Sequence, residues 1–144
     1  MKIIFLDIDG VLVTQNSTGP WKFDPICVKR FKKILKATDA KIVISSTWRF
    51  MQSIDELRVM FNSCGLDGKR IFDTTPKIDL SSRGAEIARW LSENNRNNNL
   101  IENFIVIDDD NDISPFEDKF INTTWEDGIS EHNVEHAIFL LEGK

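Results

Sequence analysis

The sequence predicts a three-layer α/β fold, in which a Rossmann-like parallel sheet lies between layers of helices. Short apolar, β-branched runs alternate along the chain with segments of helical periodicity, a pattern typical of parallel strands joined by crossover helices. Three of these runs end in polar residues, as strands do at a ligand-binding edge of a sheet. With 144 residues, 41% of them hydrophobic, the chain is expected to form one domain over residues 1–144.

Five short runs are predicted to form the strands. The first covers residues 3–6, reads Ile-Ile-Phe-Leu and is soon followed by Gly10. The second covers residues 41–44, and the other three cover residues 70–72, 104–107 and 120–121. Continuous apolar runs of this length indicate strands that are buried on both faces.

Four segments have the periodicity of amphipathic helices. The first begins at Pro25, a residue favoured in the first helical turn. It is expected to bury Cys27, Val28, Phe31, Ile34 and Leu35. The second begins after Ser53, whose spacing to Glu56 predicts a capping box, and Gly65 is placed to end it.

The last two helices are predicted over residues 83–93 and 131–141. We expect the former to bury Ile87, Ala88 and Leu91. We expect the latter to bury Val134, Ala137, Ile138 and Leu141. Residues 14–24, which include Gly19 and Pro20, and the asparagine-rich residues 94–99 are predicted to form loops.

Composition and charge exclude several classes of protein. The net charge of −5 gives no bulk argument for nucleic-acid binding, although a local basic patch stays open. No apolar run approaches the roughly 18 residues of a membrane-spanning helix, and Asp7 ends the first run too early for a secretion signal. Cys27 and Cys64 have no metal-ligand spacing. We therefore expect a cytoplasmic protein without a membrane partner.

Polar residues follow three of the predicted strands. They form the segments Asp7-Ile8-Asp9-Gly10, Ser45-Ser46-Thr47 and Asp108-Asp109-Asp110. Because the carboxyl ends of parallel strands meet at one edge of the sheet, these segments are expected to converge. Carboxylates so close repel each other unless some stay protonated or a divalent cation binds them. A site with few protein ligands and with open positions for water suits Mg²⁺ better than Ca²⁺.

These motifs resemble the signature of phosphatases of the haloacid dehalogenase (HAD) superfamily. The family's DxDG motif with a following apolar pair is matched by residues 7–12. Its Ser or Thr after the next core strand is matched by Ser46 or Ser45, and its basic residue near a later helix by Arg83 or Lys77. Its closing acidic pair is matched by residues 108–109. Four motifs in the expected order are a specific signal.

The resemblance implies a Mg²⁺-dependent phosphomonoester hydrolase that forms an aspartyl phosphate. In such a scheme Asp7 attacks phosphorus, and Asp9 protonates the leaving oxygen and then activates water. Mg²⁺ is expected to be bound by Asp7, the backbone carbonyl of Asp9 and Asp109, with Asp108 beside it, although the liganding position could be either Asp108 or Asp109.

The resemblance also implies which residues contact the phosphoryl group and the rest of the substrate. Ser46 is expected to donate a hydrogen bond to a phosphoryl oxygen, and either Arg83 or Lys77 to supply a positive charge. The further substrate-binding residues are expected to be Gly10, Ser45, Thr47, Trp48 and Arg49.

The sequence has no room for a cap domain, since the intervals from Asp9 to Ser46 and from Ser46 to Arg83 are mostly taken up by a loop, a helix and a strand. An open site favours a phosphate on a large partner, such as a nucleic-acid end. The segments Ser-Thr-Trp-Arg, Arg-Gly and Asp-Gly-Ile at residues 46–49, 83–84 and 127–129 are similar to phosphatase-like domains associated with RNA repair.

Two further features bear on the substrate. The first helix carries Lys29, Arg30, Lys32, Lys33 and Lys36. Such a face contacts a phosphate backbone in some proteins but is more often simply solvated. Trp21 and Trp48 have the ring surface to stack on bases, although aromatic residues more often pack within the protein.

Other functions stay open at this point. One alternative is a protein or small-molecule phosphatase that closes its site by oligomerising. Another is a non-catalytic phosphate-binding or phosphoacceptor module. The oligomeric state is not determined by the sequence.

Overall fold

A parallel five-stranded sheet, covered by helices on both faces, forms the protein. The structure is a computed structural model that describes residues 1–18, 22–95 and 101–143. In these ranges the strands are β1 (Lys2–Leu6), β2 (Lys41–Ile44), β3 (Ile71–Thr74), β4 (Asn103–Asp108) and β5 (Phe120–Asn122). They lie in the order β3-β2-β1-β4-β5, and every neighbouring pair is parallel. The helices are α1 (Pro25–Ala37), α2 (Ile54–Ser63), α3 (Arg83–Asn95) and α4 (Glu131–Glu142).

Side chains of the central strands alternate between the two faces and so form two cores. Ile4 and Leu6 of β1 pack in a cluster with buried residues of α1, α2 and α4. Ile3 and Phe5 pack on the other face with buried residues of α3. Because both faces are covered, successive strand residues are all apolar, which explains the continuous apolar runs in the sequence. The predicted three-layer α/β fold is confirmed.

Local sequence signals determine where α1 and α2 begin and end. The Asp24 carboxylate caps α1 by accepting a hydrogen bond from the Ile26 N–H at 2.9 Å, directly before Pro25. Ser53 and Glu56 form the predicted capping box of α2. All five residues expected on the buried face of α1 are buried, so these predictions are confirmed.

α3 buries a different set of side chains from the predicted one. Trp90 is buried, whereas Ala88 and Leu91 are only half-buried. The Trp90 indole packs edge-on against Phe5 at 5.4 Å, and its N–H donates to Asp73 Oδ2 at 2.8 Å. A large side chain that satisfies its polar atom outcompetes a smaller neighbour for the core. In α4, Ile138 is likewise half-buried rather than buried.

Two predicted boundaries also move. Residues 68–70 form a short 3-10 turn, so β3 begins one residue later than predicted and extends to Thr74. Asn94 and Asn95 belong to α3, and the remainder of the predicted loop at 94–99 lies outside the described residues, as does Trp21.

The described segments between consecutive strands contain loops, short 3-10 turns and single helices. These described segments therefore form no cap domain, as the sequence predicts. None of the helices in the described ranges combines the length and apolar composition that a membrane crossing requires.

Candidate active site

The carboxyl ends of β1, β2 and β4 bring the three polar motifs to one edge of the sheet. The Asp7 N–H donates to the Ile107 carbonyl of β4 at 3.0 Å. On the other side of β1, the Ser45 N–H donates to the Leu6 carbonyl at 3.0 Å. Asp7 therefore lies between the hydroxyl-bearing turn after β2 and the acidic turn after β4.

An acidic cluster lies at this edge. Asp7, Asp108 and Asp109 each offer one carboxylate oxygen, and these oxygens lie within 4.8 Å of one another. Asp7 and Asp108 are buried. A set of oxygen ligands without nitrogen or sulfur fits a hard divalent cation such as Mg²⁺. The Asp9 carboxylate is not one of the three; it is exposed, and its Oδ2 accepts a hydrogen bond from the Trp48 indole N–H at 3.2 Å.

Arg83 is the basic residue that the fold brings to the acidic cluster. Its Nη1 lies 3.2 Å from Asp7 Oδ1 and 2.7 Å from Asp108 Oδ2. Lys77 is exposed, with its Nζ 3.9 Å from Asp79 Oδ1 and 5.2 Å from the centre of the Phe50 ring. Of the two candidates that the sequence left open, Arg83 is therefore the one in position to act beside Asp7.

The first turn of α3, which carries Arg83, is anchored to the loop after β4. The Arg83 N–H donates to Asp112 Oδ2 at 3.3 Å, and the Gly84 N–H donates to the Asp112 carbonyl at 2.9 Å. A Cβ at Gly84 would overlap with the Ser114 carbonyl, so only glycine permits this approach. The start of α3, which carries the guanidinium, is therefore hydrogen-bonded directly to the loop that follows the acidic end of β4.

Burial and repulsion from neighbouring carboxylates raise the pKa values of Asp7 and Asp108. Burial raises the pKa of Asp7 to about 8; the neighbouring Asp108 adds to this effect and Arg83 opposes it. Burial also raises the pKa of Asp108, and the charge of Arg83 again opposes this effect. A bound cation offsets both effects by favouring the ionised carboxylates.

We expect the metal-free protein to lose stability through Asp7 as the pH rises from about 4 to about 8. Aspartate in the unfolded chain releases its proton near its ordinary pKa of 3.8, whereas folded Asp7 keeps its proton until about pH 8. The folded state thus binds more protons than the unfolded state in this pH range. The resulting stabilisation is complete below the pKa of the unfolded state and is lost as the pH rises to the pKa of folded Asp7. Melting temperatures in EDTA at pH 5 and pH 8 test this. The fall with pH should be larger in wild type than in Asp7→Asn, and equal falls contradict the prediction.

Gly10 gives Asp109 the space to reach the cluster. Its φ is +80°, and a Cβ there would overlap with the Asp109 carboxylate. Its N–H donates to the Val13 carbonyl at 2.8 Å, and its carbonyl accepts from the Thr123 hydroxyl at 2.5 Å. These contacts show Gly10 shaping the site; the predicted substrate contact stays a prediction.

Gly10→Ala is expected to displace Asp109 and weaken Mg²⁺ binding by about 10-fold or more, in the range seen when residues supporting a metal ligand are lost. The matched control is Gly65→Ala. Gly65 has a similar φ of +89° but open space around its Cβ position, so both variants carry the left-handed strain, about 1–2 kcal/mol. Calorimetric titration with MgCl₂ compares them. Similar Mg²⁺ affinities in the two variants contradict the prediction.

The turn after β2 presents the hydroxyl groups. Ser46 is buried and its Oγ accepts the Trp48 N–H at 3.2 Å, which leaves the hydroxyl proton to donate elsewhere. The Ser45 hydroxyl is fully buried and has no hydrogen-bond partner in the described parts of the chain. Thr47 is exposed. Of the three hydroxyls, Ser46 has a geometry that suits a phosphoryl contact.

The guanidinium of Arg49, a residue predicted to contact substrate, contacts other groups of the protein. Its side chain is 3% exposed, and its Nη2 lies 2.9 Å from Glu86 Oε2 of α3. Its other nitrogens donate to the carbonyls of Ser45, Ser46 and Thr75 at 2.7, 2.8 and 2.9 Å. The sequence carries no signal for the ion pair between Arg49 and Glu86, since a lone glutamate on a helix is rarely buried.

One of the comparisons with known proteins, a scan of protein families, agrees with this fold. A protein-family model described as the HAD domain in Swiss Army Knife RNA repair proteins matches residues 3–134. No curated protein and no solved structure matched the chain. The family match covers nearly the whole sequence and indicates a hydrolase of the HAD type. On this match and the fold, the chain belongs to the HAD domains of Swiss Army Knife RNA repair proteins.

Proposed function

We propose that the protein is a Mg²⁺-dependent phosphomonoesterase that forms an aspartyl phosphate on Asp7. The observation that carries this proposal is the acidic cluster of Asp7, Asp108 and Asp109 at the carboxyl edge of the sheet. Its two buried members, Asp7 and Asp108, are in direct contact with Arg83. Asp7 and Asp109 would hold Mg²⁺ together with the Asp9 backbone carbonyl. The bound ion would offset the negative charge between the carboxylate and the phosphate.

The side chains around Asp7 supply the remaining chemistry. An Asp7 oxygen bonds to phosphorus as the bond from phosphorus to the leaving oxygen breaks. Arg83 and the Ser46 hydroxyl stabilise the charge on the phosphoryl oxygens. Asp9 is exposed at the mouth of the site, where it donates a proton to the leaving oxygen and then takes one from the water that hydrolyses the aspartyl phosphate. Its hydrogen bond to Trp48 orients the carboxylate for this exchange.

We further propose that the phosphate belongs to a nucleic-acid end. No cap domain covers the site among the described residues, so a large substrate would have access to it. Beside Asp9, a groove of about 220 Å³ is lined by Trp48, Met51, Gln52 and Met60, and the Trp48 indole connects this groove to the Asp9 carboxylate. An aromatic ring next to the leaving group suits a base that stacks beside the terminal phosphate. The RNA-repair family gives independent support.

The basic face of α1 supports this substrate only weakly. Lys33 lies 3.0 Å from Glu131 of α4, and the Arg30 guanidinium donates to the Ile129 carbonyl at 3.1 Å. Part of the positive charge is therefore used within the protein. Lys29, Lys32 and Lys36 are exposed, and nucleic-acid contact through them stays a prediction.

A substrate panel with MgCl₂ or EDTA tests the proposed function. The panel contains 5′- and 3′-phosphorylated RNA and DNA oligonucleotides, a phosphopeptide, sugar phosphates and p-nitrophenyl phosphate. We expect Mg²⁺-dependent phosphate release with the highest kcat/KM on the oligonucleotides. Turnover of small esters without turnover of oligonucleotides contradicts the substrate assignment. A stable phosphoprotein formed from acetyl phosphate, without ester hydrolysis, contradicts the enzyme assignment.

Trp48→Ala is expected to raise KM for a phosphorylated oligonucleotide by about 10-fold, because stacking of one base on an aromatic ring contributes about 1–3 kcal/mol. Trp48→Phe keeps a ring but loses the N–H bonded to Asp9, so it should retain most of the affinity and lower kcat. Phe139→Ala is the control, since Phe139 is an exposed aromatic residue on α4. An unchanged KM in Trp48→Ala rules out the stacking role.

A further inference from the structure

We infer that Arg49 and Glu86 are positioning residues. They hold the Ser46 hydroxyl and the Arg83 guanidinium in the relative positions that contact with the phosphoryl group requires. The inference rests on the proposed function, because it concerns the same site. It assigns roles to two buried residues that belong to none of the four sequence motifs.

The pair joins three segments, which are the turn after β2, the residue after β3 and the first turns of α3. Arg49 donates through Nη1 to the carbonyls of Ser45 and Ser46, in the turn that presents the Ser46 hydroxyl. It donates through Nε to the Thr75 carbonyl, directly after β3. Through Nη2 it pairs with Glu86 at 2.9 Å, which fixes the turn against α3.

Glu86 transmits this constraint to Arg83. The two residues lie on the first turns of α3, three positions apart, so they share a side of the helix. Glu86 Oε2 also accepts the Ile78 N–H at 3.1 Å, which holds the chain that leads into α3. Burial lowers the pKa of Arg49, and the charge of Arg83 lowers it further, whereas Glu86 raises it. Glu86 therefore offsets the repulsion between the two guanidinium groups.

Burial separates this role from substrate binding. Only 3% of the Arg49 side chain and 9% of the Glu86 side chain are exposed. Each guanidinium nitrogen of Arg49 already lies against a carbonyl or carboxylate oxygen. Arg49 therefore acts on the substrate through the residues that it holds, and small displacements of such residues are expected to reduce the rate strongly, since misplacement by about 1 Å can cost about 100-fold.

The test compares Arg49→Lys and Glu86→Gln with a matched surface pair. Arg49→Lys keeps the charge but has no planar fork to reach three carbonyls and Glu86, and Glu86→Gln keeps the size but loses the charge. Arg89→Lys and Glu93→Gln alter an ion pair of 2.9 Å on the same helix, whose side chains are 59% and 52% exposed. The measurements are kcat and KM for p-nitrophenyl phosphate, calorimetric affinity for tungstate with MgCl₂, and melting temperature.

We expect kcat to fall by about 10- to 100-fold in Arg49→Lys and Glu86→Gln with KM changed less than about threefold. Tungstate, an analogue of the phosphoryl group, should bind about 10-fold more weakly, and the surface pair should change nothing. A raised KM with unchanged kcat overturns the inference in favour of substrate contact. A lowered melting temperature with unchanged kcat and tungstate affinity overturns it in favour of a purely structural pair.

The two proposals fail separately. An inert wild type ends the proposed function, and in that case tungstate affinity alone decides the positioning role. An active wild type with unaffected Arg49→Lys and Glu86→Gln ends only the positioning role.

Discussion

Asp7→Asn is expected to abolish Mg²⁺-dependent phosphate release, with kcat reduced by at least about 1,000-fold, or about 4 kcal/mol in the activation barrier. An amide of the same shape cannot form the acyl phosphate. The loss should come without unfolding, because burial and Asp108 both disfavour the Asp7 carboxylate in the absence of metal. Phosphate release and melting temperature in EDTA are measured on the same preparations.

Asp110→Asn is the matched control for this prediction. Asp110 is an exposed acid in the same acidic run, and its side chain lies outside the metal-binding group. Its N–H donates to Asp108 Oδ1 at 3.0 Å, a contact that the substitution keeps. The activity of Asp110→Asn should therefore stay close to that of wild type. Mg²⁺-dependent turnover by Asp7→Asn would overturn the assignment of the nucleophile.

Arg83→Met is expected to lower kcat/KM by about 100- to 1,000-fold, the usual effect of losing one strong donor to the transition state. The substitution also removes the cation that opposes the raised pKa values of Asp7 and Asp108. A larger share of Asp7 is then protonated near neutral pH. The activity optimum should therefore move to higher pH, which a pH–rate profile measures.

Lys77→Met provides the comparison that separates the two basic candidates. Lys77 is exposed and lies near Asp79 and Phe50, away from the acidic cluster. We expect a change of less than about fivefold, because exposed ion pairs contribute about 1 kcal/mol or less. A larger loss in Lys77→Met than in Arg83→Met would reverse the assignment.

The parts of the molecule that the sequence predicts well are those determined by neighbouring residues. Asp24-Pro25 and the Ser53–Glu56 capping box mark helix starts because the hydrogen bonds involved are local. The strands are recognisable because they are buried on both faces. Asp7 and Asp108 could be placed together because parallel strands end at one edge of the sheet.

Features that depend on packing between distant segments could not be predicted. Arg83 and Lys77 both fit the spacing of the same motif. Only the packing of the start of α3 shows that Arg83 lies beside the acidic cluster and Lys77 does not. Arg49 follows a motif that suggests substrate contact, yet its guanidinium is used by three carbonyls and Glu86. Trp90 of α3 enters the core instead of Leu91 because Asp73 of β3 accepts its indole N–H.

The contact between Gly84 and the Ser114 carbonyl has a practical consequence for protein engineering. Because the start of α3 rests directly on the loop after β4, lengthening that loop would push the guanidinium of Arg83 off its carboxylate partners. Peptide tags or fluorescent labels placed between residues 110 and 114 are therefore expected to inactivate the protein. The solvent-facing side of α4, around His132 and Phe139, offers a safer attachment point.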